Sequence, residues 1–392
     1  MPYGSVGGME RLAYTFYNKY KELGYKVYGV KIIGLNSDII NFGEDEIVLS
    51  SKDFVAYSKI DRIKFYLSIP FKLRQIIIDE KIDYTISFGD MANCFSALTK
   101  TKENKIASIH SLKSVEITKL TLMNKLFIKS YKTIYKRFNK VVCISKGIKQ
   151  DLINNFSYAF DNLKVIYNPH DIQYIVNKSK EEIEDIAECK IFNKETIIFL
   201  GRFSIQKSPW HLINAFYKSK NENRNLVFIG DGNEEVSDFL KKQVKDLNLD
   251  DQVFFLGRKS NPYKYLKRAK ILALSSLYEG TPNVIAEAIA LGIPIISSNC
   301  TEGIVEMMSH KKKIFKEEII FTESGLITPN LLKKKLEIPR ESDFIEEELV
   351  FSKAIDLVFD SYSSYRIDIE KHKGHLMNKF ELEKVCYDYL NL

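Results

Sequence analysis

Two cations and two carboxylates in the second half of the chain have the types and spacing to hold an anion beside a polyol. Arg202 and Lys207 stand five residues apart in "GRFSIQKSP" (201–209), directly after the apolar run "TIIFL". Ser208 and Pro209 read as the N-cap and first position of a helix. Cations next to the free N–H groups of a helix start make an anion site, and a pair of them suits a diphosphate. Glu279 and Glu287 stand eight residues apart in "SSLYEGTPNVIAEAIALGIPIISS" (275–298). Thr281 reads as a cap and Pro282 as the opening residue of a helix, which Gly292 closes and Pro294 keeps from continuing. Glu287 then lies inside that helix among Ile285, Ala286, Ala288 and Ile289. A carboxylate in so apolar a stretch is costly unless something accepts it, and vicinal hydroxyls would do so. Plainer readings stand beside these: a solvated cation pair, and for Glu279 a helix-surface charge.

Such groups need strands that end beneath them. Short apolar runs alternate with amphipathic stretches along the whole chain: "YKVYGVKII", "DYTISFG", "KIASIH", "KVVCIS" and "KVIYNP" in the first half, then "TIIFLG", "NLVFIG", "QVFFLG", "KILALSS" and "IPIISS" in the second. This is the signature of βαβ units and parallel sheets, whose ligand crevice lies at the strands' carboxyl ends. Gly201 and Gly230 fall at two of those ends, and Arg258 follows Gly257 at a third. The stretch 168–196 is rich in charge and Asn without a strand pattern, so a linker is expected near 170–190. The expected organisation is a first α/β domain over 1–172, a second over 173–376 and a C-terminal helix over 377–392 that packs back on the first domain.

The bulk properties exclude several classes. The 392 residues are 45% hydrophobic and 28% charged, ordinary for globular domains with large cores. No apolar run spans a bilayer and no leader pattern opens the chain. Five scattered cysteines, never in a C-x-x-C pair, argue against a disulfide framework or a zinc site and for a reducing, cytoplasmic setting. The net charge of +7 is a mild bias, and no nucleic-acid-binding signature accompanies it. His170, His211, His310, His372 and His375 have no metal-ligand spacing.

In order and spacing, "GRFSIQK", the E-x7-E of "EGTPNVIAE", "VVCISKGIKQDL" (141–152), "VIYNP" (165–169) and "ESGLITP" (323–329), with the Gly7-Gly8 turn, resemble the family-4 retaining glycosyltransferases of the GT-B fold. "SSNCTEGIVEMM" (297–308) is similar to members that build bacterial surface polysaccharides. The resemblance covers essentially the whole chain. It implies two Rossmann-like domains whose parallel sheets face a central cleft. It implies that Arg202 and Lys207 hold the diphosphate of a nucleotide-sugar donor, most simply a UDP-sugar, and stabilise it as it leaves. Glu287 would bind the ribose and Glu279 would lie near the donor sugar. Donor binding would further involve Gly201, Gly230, Arg258 and the stretch Gly280, Thr281, Pro282, Asn283 and Val284. Gly7 and Gly8 would close on the diphosphate from the first domain, and His110 in "KIASIHS" would contact the donor sugar; a plain strand-end histidine fits His110 equally. No cofactor or metal is implied, because cations and helix N-termini stabilise the charge. The implied reaction is same-face transfer, with retention, to a lipid-linked oligosaccharide or a lipopolysaccharide core. Asp90 in "SFGDMAN" stands at a first-domain strand end, where it fits a contact with acceptor or, more simply, a helix N-cap. A sugar-nucleotide epimerase of the same fold and a catalytically silent partner subunit are the alternatives.

Two further expectations concern the first half. The segment 119–140 holds seven Lys/Arg and no acid, with apolar residues at helical spacing. It fits either a helix with a solvated basic face or a peripheral contact with an anionic inner membrane. In the resembled fold a central strand precedes the glycine turn, yet only "MPYGSV" stands there. The expectation is that Met1 is an internal methionine and that about 6–12 upstream residues supply the strand.

Overall fold

The structure, a computed structural model, describes residues 8–35, 38, 40–53, 56–117, 119–220, 222–310, 314–316, 318–332, 336–339 and 344–391. The chain divides into two compact units, one of residues 1–169 with 382–392 and the other of residues 170–381. No helix among the described residues is long and apolar enough to cross a membrane.

In the first unit β1 (Gly29–Lys31) and β2 (Glu46–Val48) form a parallel pair, and β3 (Tyr84–Phe88), β4 (Asn104–Ile109), β5 (Lys140–Cys143) and β6 (Leu163–Val165) form a parallel sheet in that order. The two-residue period of the strands sorts their side chains onto two faces. Phe88, Ile106 and Val142 pack with Leu12, Phe16 and Tyr20 of the helix Gly8–Glu22 and with Val385, Cys386 and Tyr389 of the helix Leu382–Leu390. Ala107, Ile109, Val141 and Cys143 point the other way, onto Ala97, Tyr131, Ile148 and Leu152. The C-terminal helix is tied in by hydrogen bonds as well: Tyr20 Oη donates to Cys386 O at 2.9 Å, and Lys140 Nζ to Asp388 O at 2.7 Å. That helix begins at Leu382, not Met377, which ends the preceding helix Tyr362–Met377.

In the second unit β7 (Glu195–Leu200), β8 (Arg224–Ile229), β9 (Val253–Phe255), β10 (Ile271–Leu274), β11 (Ile295–Ser298), β12 (Ile314–Lys316), β13 (Ile319–Thr322) and β14 (Gly325–Thr328) form one sheet, ordered β12-β13-β14-β11-β10-β7-β8-β9. β13 pairs antiparallel with both β12 and β14, and the six strands from β14 to β9 in that order run parallel. The six are near-continuous apolar runs because helices cover both faces. The expected linker near 170–190 is instead folded into this unit as the helices Ile172–Lys178 and Ile186–Ile191, the first packed against the helix Asn283–Leu291.

His170 starts the second unit because its N–H donates to Phe380 O at 2.7 Å and its ring packs edge-on against Phe380. Burial pushes its pKa down to about 4, so the ring is neutral at pH 7. The unfolded chain takes up that proton near pH 6.5, before the folded one does. Stability from this residue is therefore whole above about pH 6.5 and falls toward pH 4, by up to about 3 kcal/mol. Thermal melts across pH 4–7 of wild type and His170→Leu check this: the variant should lose that part of the acid limb, and identical pH profiles would refute it.

Candidate active site

The sheet of the second unit reverses direction of winding between β7 and β10: β8 and β9 continue outward from β7, β11 and β14 from β10. Ligands of doubly wound sheets bind at the carboxyl ends of the strands at this switch point. The two loops that leave it carry Arg202, Lys207 and Glu279. Lys207 Nζ is ion-paired with Glu279 Oε1. Glu279 is buried, and Ser276 Oγ donates to the same oxygen at 2.7 Å. Gln206 Nε2 donates to Tyr278 O at 3.1 Å and reaches Glu279 Oε2 at 3.4 Å, while Leu277 N donates to Gln206 O at 2.8 Å. The buried Cys300 thiol after β11 is pushed up, by burial first and by the Glu279 charge second, so it stays protonated.

Ser208 stands before the helix Pro209–Lys218 but does not cap it. Its φ of 36° is left-handed and its hydroxyl donates to Ser275 O at 2.5 Å, locking the β7 loop to the end of β10. Ser275 Oγ answers with bonds of 3.0 Å to Lys207 O and Ser208 O. On the other side the β7 and β8 loops are zipped together: Gly201 N donates to Ile229 O at 3.1 Å and Phe203 N to Asp231 O at 2.8 Å. Gly230, at φ 143°, lies so close that a Cβ there would meet Gly201 O at 1.9 Å. These bonds leave the Arg202 side chain exposed, with no hydrogen bond or ion pair among the described residues. Arg258 is equally exposed, but it follows β9, with β8 between it and β7.

Past Glu279, Thr281 does not cap either. Pro282 is the N-cap, at φ −71° and ψ 113°, and the helix runs Asn283–Leu291 to a left-handed Gly292. The Thr281 hydroxyl is buried and has no hydrogen-bond partner. Gly280 O rests against Gly303, where a Cβ would lie 2.4 Å away. Asn283, Val284 and Glu287 are half-buried, and Glu287 sits in mid-helix between the fully buried Ala286 and Ala288.

In the first unit Gly8 opens its helix, and Gly7 lies outside the described residues. His110 follows β4, its Nε2 buried without a partner and its pKa pushed down to about 3, by burial first and Lys113 second. The ring is neutral at pH 7. Asp90 is not an N-cap, a place Gly89 takes; its carboxylate binds Lys113 Nζ at 2.8 Å and Tyr131 Oη at 2.8 Å. Lys113 also pairs with Glu116 at 2.6 Å. The sequence reading missed Lys113, Tyr131, Gln206 and Ser276; for Ser276 the signal was present in "SSLYEG", a hydroxyl three residues before the carboxylate it binds.

Two family models match: Glycosyltransferase Family 4 over residues 6–174 and Glycosyl transferases group 1 over residues 180–324. An uncharacterized glycosyltransferase of Methanocaldococcus jannaschii is 27% identical over 81% of each chain. The N-acetylgalactosamine-N,N'-diacetylbacillosaminyl-diphospho-undecaprenol 4-alpha-N-acetylgalactosaminyltransferase of Campylobacter jejuni is 28% identical over 62% of this chain and 65% of its own. Among solved structures, Anabaena HepE in complex with UDP and glucose superposes with a TM-score of 0.71 over 99% of this chain and 96% of its own, at 16% identity. The chain is a glycosyltransferase of the family-4 type, with the GT-B fold.

Proposed function

We propose that the protein transfers a sugar from a UDP-sugar, with retention of anomeric configuration, to a lipid-linked saccharide acceptor. The observation that carries the proposal is the placement of Arg202, Lys207 and Glu279 at the switch point between β7 and β10. As the anomeric C–O bond breaks, negative charge grows on the diphosphate. Arg202 and Lys207 meet it with charge-assisted hydrogen bonds, a role that leaves no need for a metal. The ion pair with Glu279 aims Lys207 and partly desolvates it for the diphosphate. The unpartnered Thr281 hydroxyl offers the donor a hydrogen bond, and Glu287 accepts the ribose hydroxyls. The relative from Campylobacter jejuni, whose name contains diphospho-undecaprenol, supports the lipid-linked acceptor.

The reading is tested by UDP release from a panel of UDP-sugars with undecaprenyl-diphosphate-linked saccharides, and by calorimetric titration of UDP. Glu287→Ala should weaken UDP binding by about 1.5–3 kcal/mol, the worth of a hydrogen bond to a charged group. Equal affinity in variant and wild type would remove Glu287 from the site, and the absence of UDP release with every donor and acceptor would overturn the function.

A further inference from the structure

The two oxygens of Glu279 are not held alike. Oε1 takes both the Lys207 ammonium and the Ser276 hydroxyl, the latter at 2.7 Å. Oε2 takes only Gln206 Nε2, at 3.4 Å. A carboxylate offers about four acceptor positions, so Oε2 keeps acceptor capacity that Oε1 has given up. The last torsion of a glutamate is broad and roughly two-fold, and free of such contacts the group presents either oxygen. Here the serine and the lysine choose for it.

The serine itself is fixed from β11. Ser298 Oγ, on the last residue of that strand, donates to Ser276 O. Its neighbour Ser275 is tied the opposite way, to Lys207 O and Ser208 O in the β7 loop. The end of β10 is thus pinned on both sides, and the Ser276 hydroxyl is given to Glu279, its one partner among the described residues. Gln206 is fixed too: its carbonyl accepts from Leu277 N at 2.8 Å and its Nε2 donates to Tyr278 O at 3.1 Å. Ser276 is only 1% exposed. Alanine in its place would bury no polar group, and Lys207 would still neutralise the carboxylate. What alanine would not do is choose between the two oxygens.

We infer that Ser276, with Gln206, is a positioning residue for sugar transfer: it occupies Glu279 Oε1 and leaves Oε2 to accept a hydroxyl of the donor sugar. The sugar is bonded directly to the diphosphate, so a carboxylate paired with the lysine that holds the diphosphate lies within reach of it. The inference rests on the proposed function, and adds to it the oxygen that meets the sugar and the residues that hold that oxygen in place.

UDP release by the full chain, with calorimetric titration of UDP and of the UDP-sugar that wild type turns over, tests this. Ser276→Ala should lower kcat/KM for that donor by about 10–100-fold, the scale of loss when a positioned group is displaced by about 1 Å. It should weaken binding of that donor several-fold and leave the affinity for UDP, which has no sugar, within about twofold of wild type. Ser276→Thr keeps the hydroxyl and should recover most of the turnover. Gln206→Leu, at a half-buried position, should lower kcat/KM in the same direction and keep the wild-type melting temperature and UDP affinity. In a Glu279→Ala background, Ser276→Ala should change donor affinity by less than about twofold, because a residue that acts through Glu279 has nothing left to act on. Equal losses of affinity for UDP and for the UDP-sugar would overturn the inference and make the serine's role structural. So would a loss that persists undiminished in the Glu279→Ala background, or unchanged turnover in both single variants. Wild-type turnover with unaffected variants sinks this inference alone, whereas no release by wild type with any donor sinks the proposed function and this inference with it.

Discussion

Lys207→Ala should lower turnover by about 10²–10³-fold, the usual loss when one preorganised donor to a developing anion is removed. Arg202→Ala should do the same. The two differ in what they do to stability. The Arg202 side chain is exposed and binds nothing among the described residues, so its loss should leave urea unfolding unchanged. Lys207 neutralises Glu279, whose side chain is only 8% exposed. Removing the lysine leaves that carboxylate to Ser276 and Gln206 alone, at a cost of roughly 1–3 kcal/mol, between the values for surface and buried pairs. The double variant Lys207→Met, Glu279→Gln should recover most of that stability and none of the turnover. Urea unfolding and UDP release on the four proteins separate the effects. Near-wild-type turnover in both single variants would take the diphosphate away from these residues, and turnover restored in the double variant would make the lysine's role structural.

That Arg202, Lys207 and Glu279 follow strand ends was legible, because a strand that stops at Gly201 or Ser275 announces itself by composition. Their meeting was not legible. Nothing local says that Lys207 touches Glu279, because that contact depends on β10 returning to the near side of β7 instead of extending past β9. The two expected caps failed for a related reason. Ser208 and Thr281 have cap-forming side chains, but Ser208 is drawn into a left-handed conformation by its bond to β10. Pro282, with ψ at 113°, keeps the chain extended one residue longer, so it takes the cap position itself. The buried face of the helix Lys59–Asp79 escaped for the opposite reason: apolar residues stand on its exposed side as well as its buried side, so periodicity cannot say which half is buried. β12 and β13 escaped because short antiparallel edge strands break the βα rhythm that revealed the others.

Two glycines at neighbouring strand ends should respond very differently to the same methyl group. Gly257 has φ 67° and open space where a Cβ would stand. Ala there bears only the strain of a left-handed L-residue, about 1–2 kcal/mol. Gly230 has φ 143°, and its Cβ would lie 1.9 Å from the Gly201 carbonyl oxygen. Neither partner is a flexible side chain, so the β7 and β8 loops must part. Steric overlap and backbone strain together should remove about 2–6 kcal/mol of stability. The loop that moves carries Arg202, held in place by the bonds of Gly201 and Phe203 to the β8 side. Gly230→Ala should therefore lose turnover as well, measured well below its unfolding midpoint, while Gly257→Ala keeps it. Gly230 then acts by letting two strand ends approach, whether or not it also touches donor. Urea midpoints and UDP-release rates for the two variants decide the matter: equal losses at both positions would show that conformational freedom alone, and not the contact with Gly201, is what Gly230 supplies.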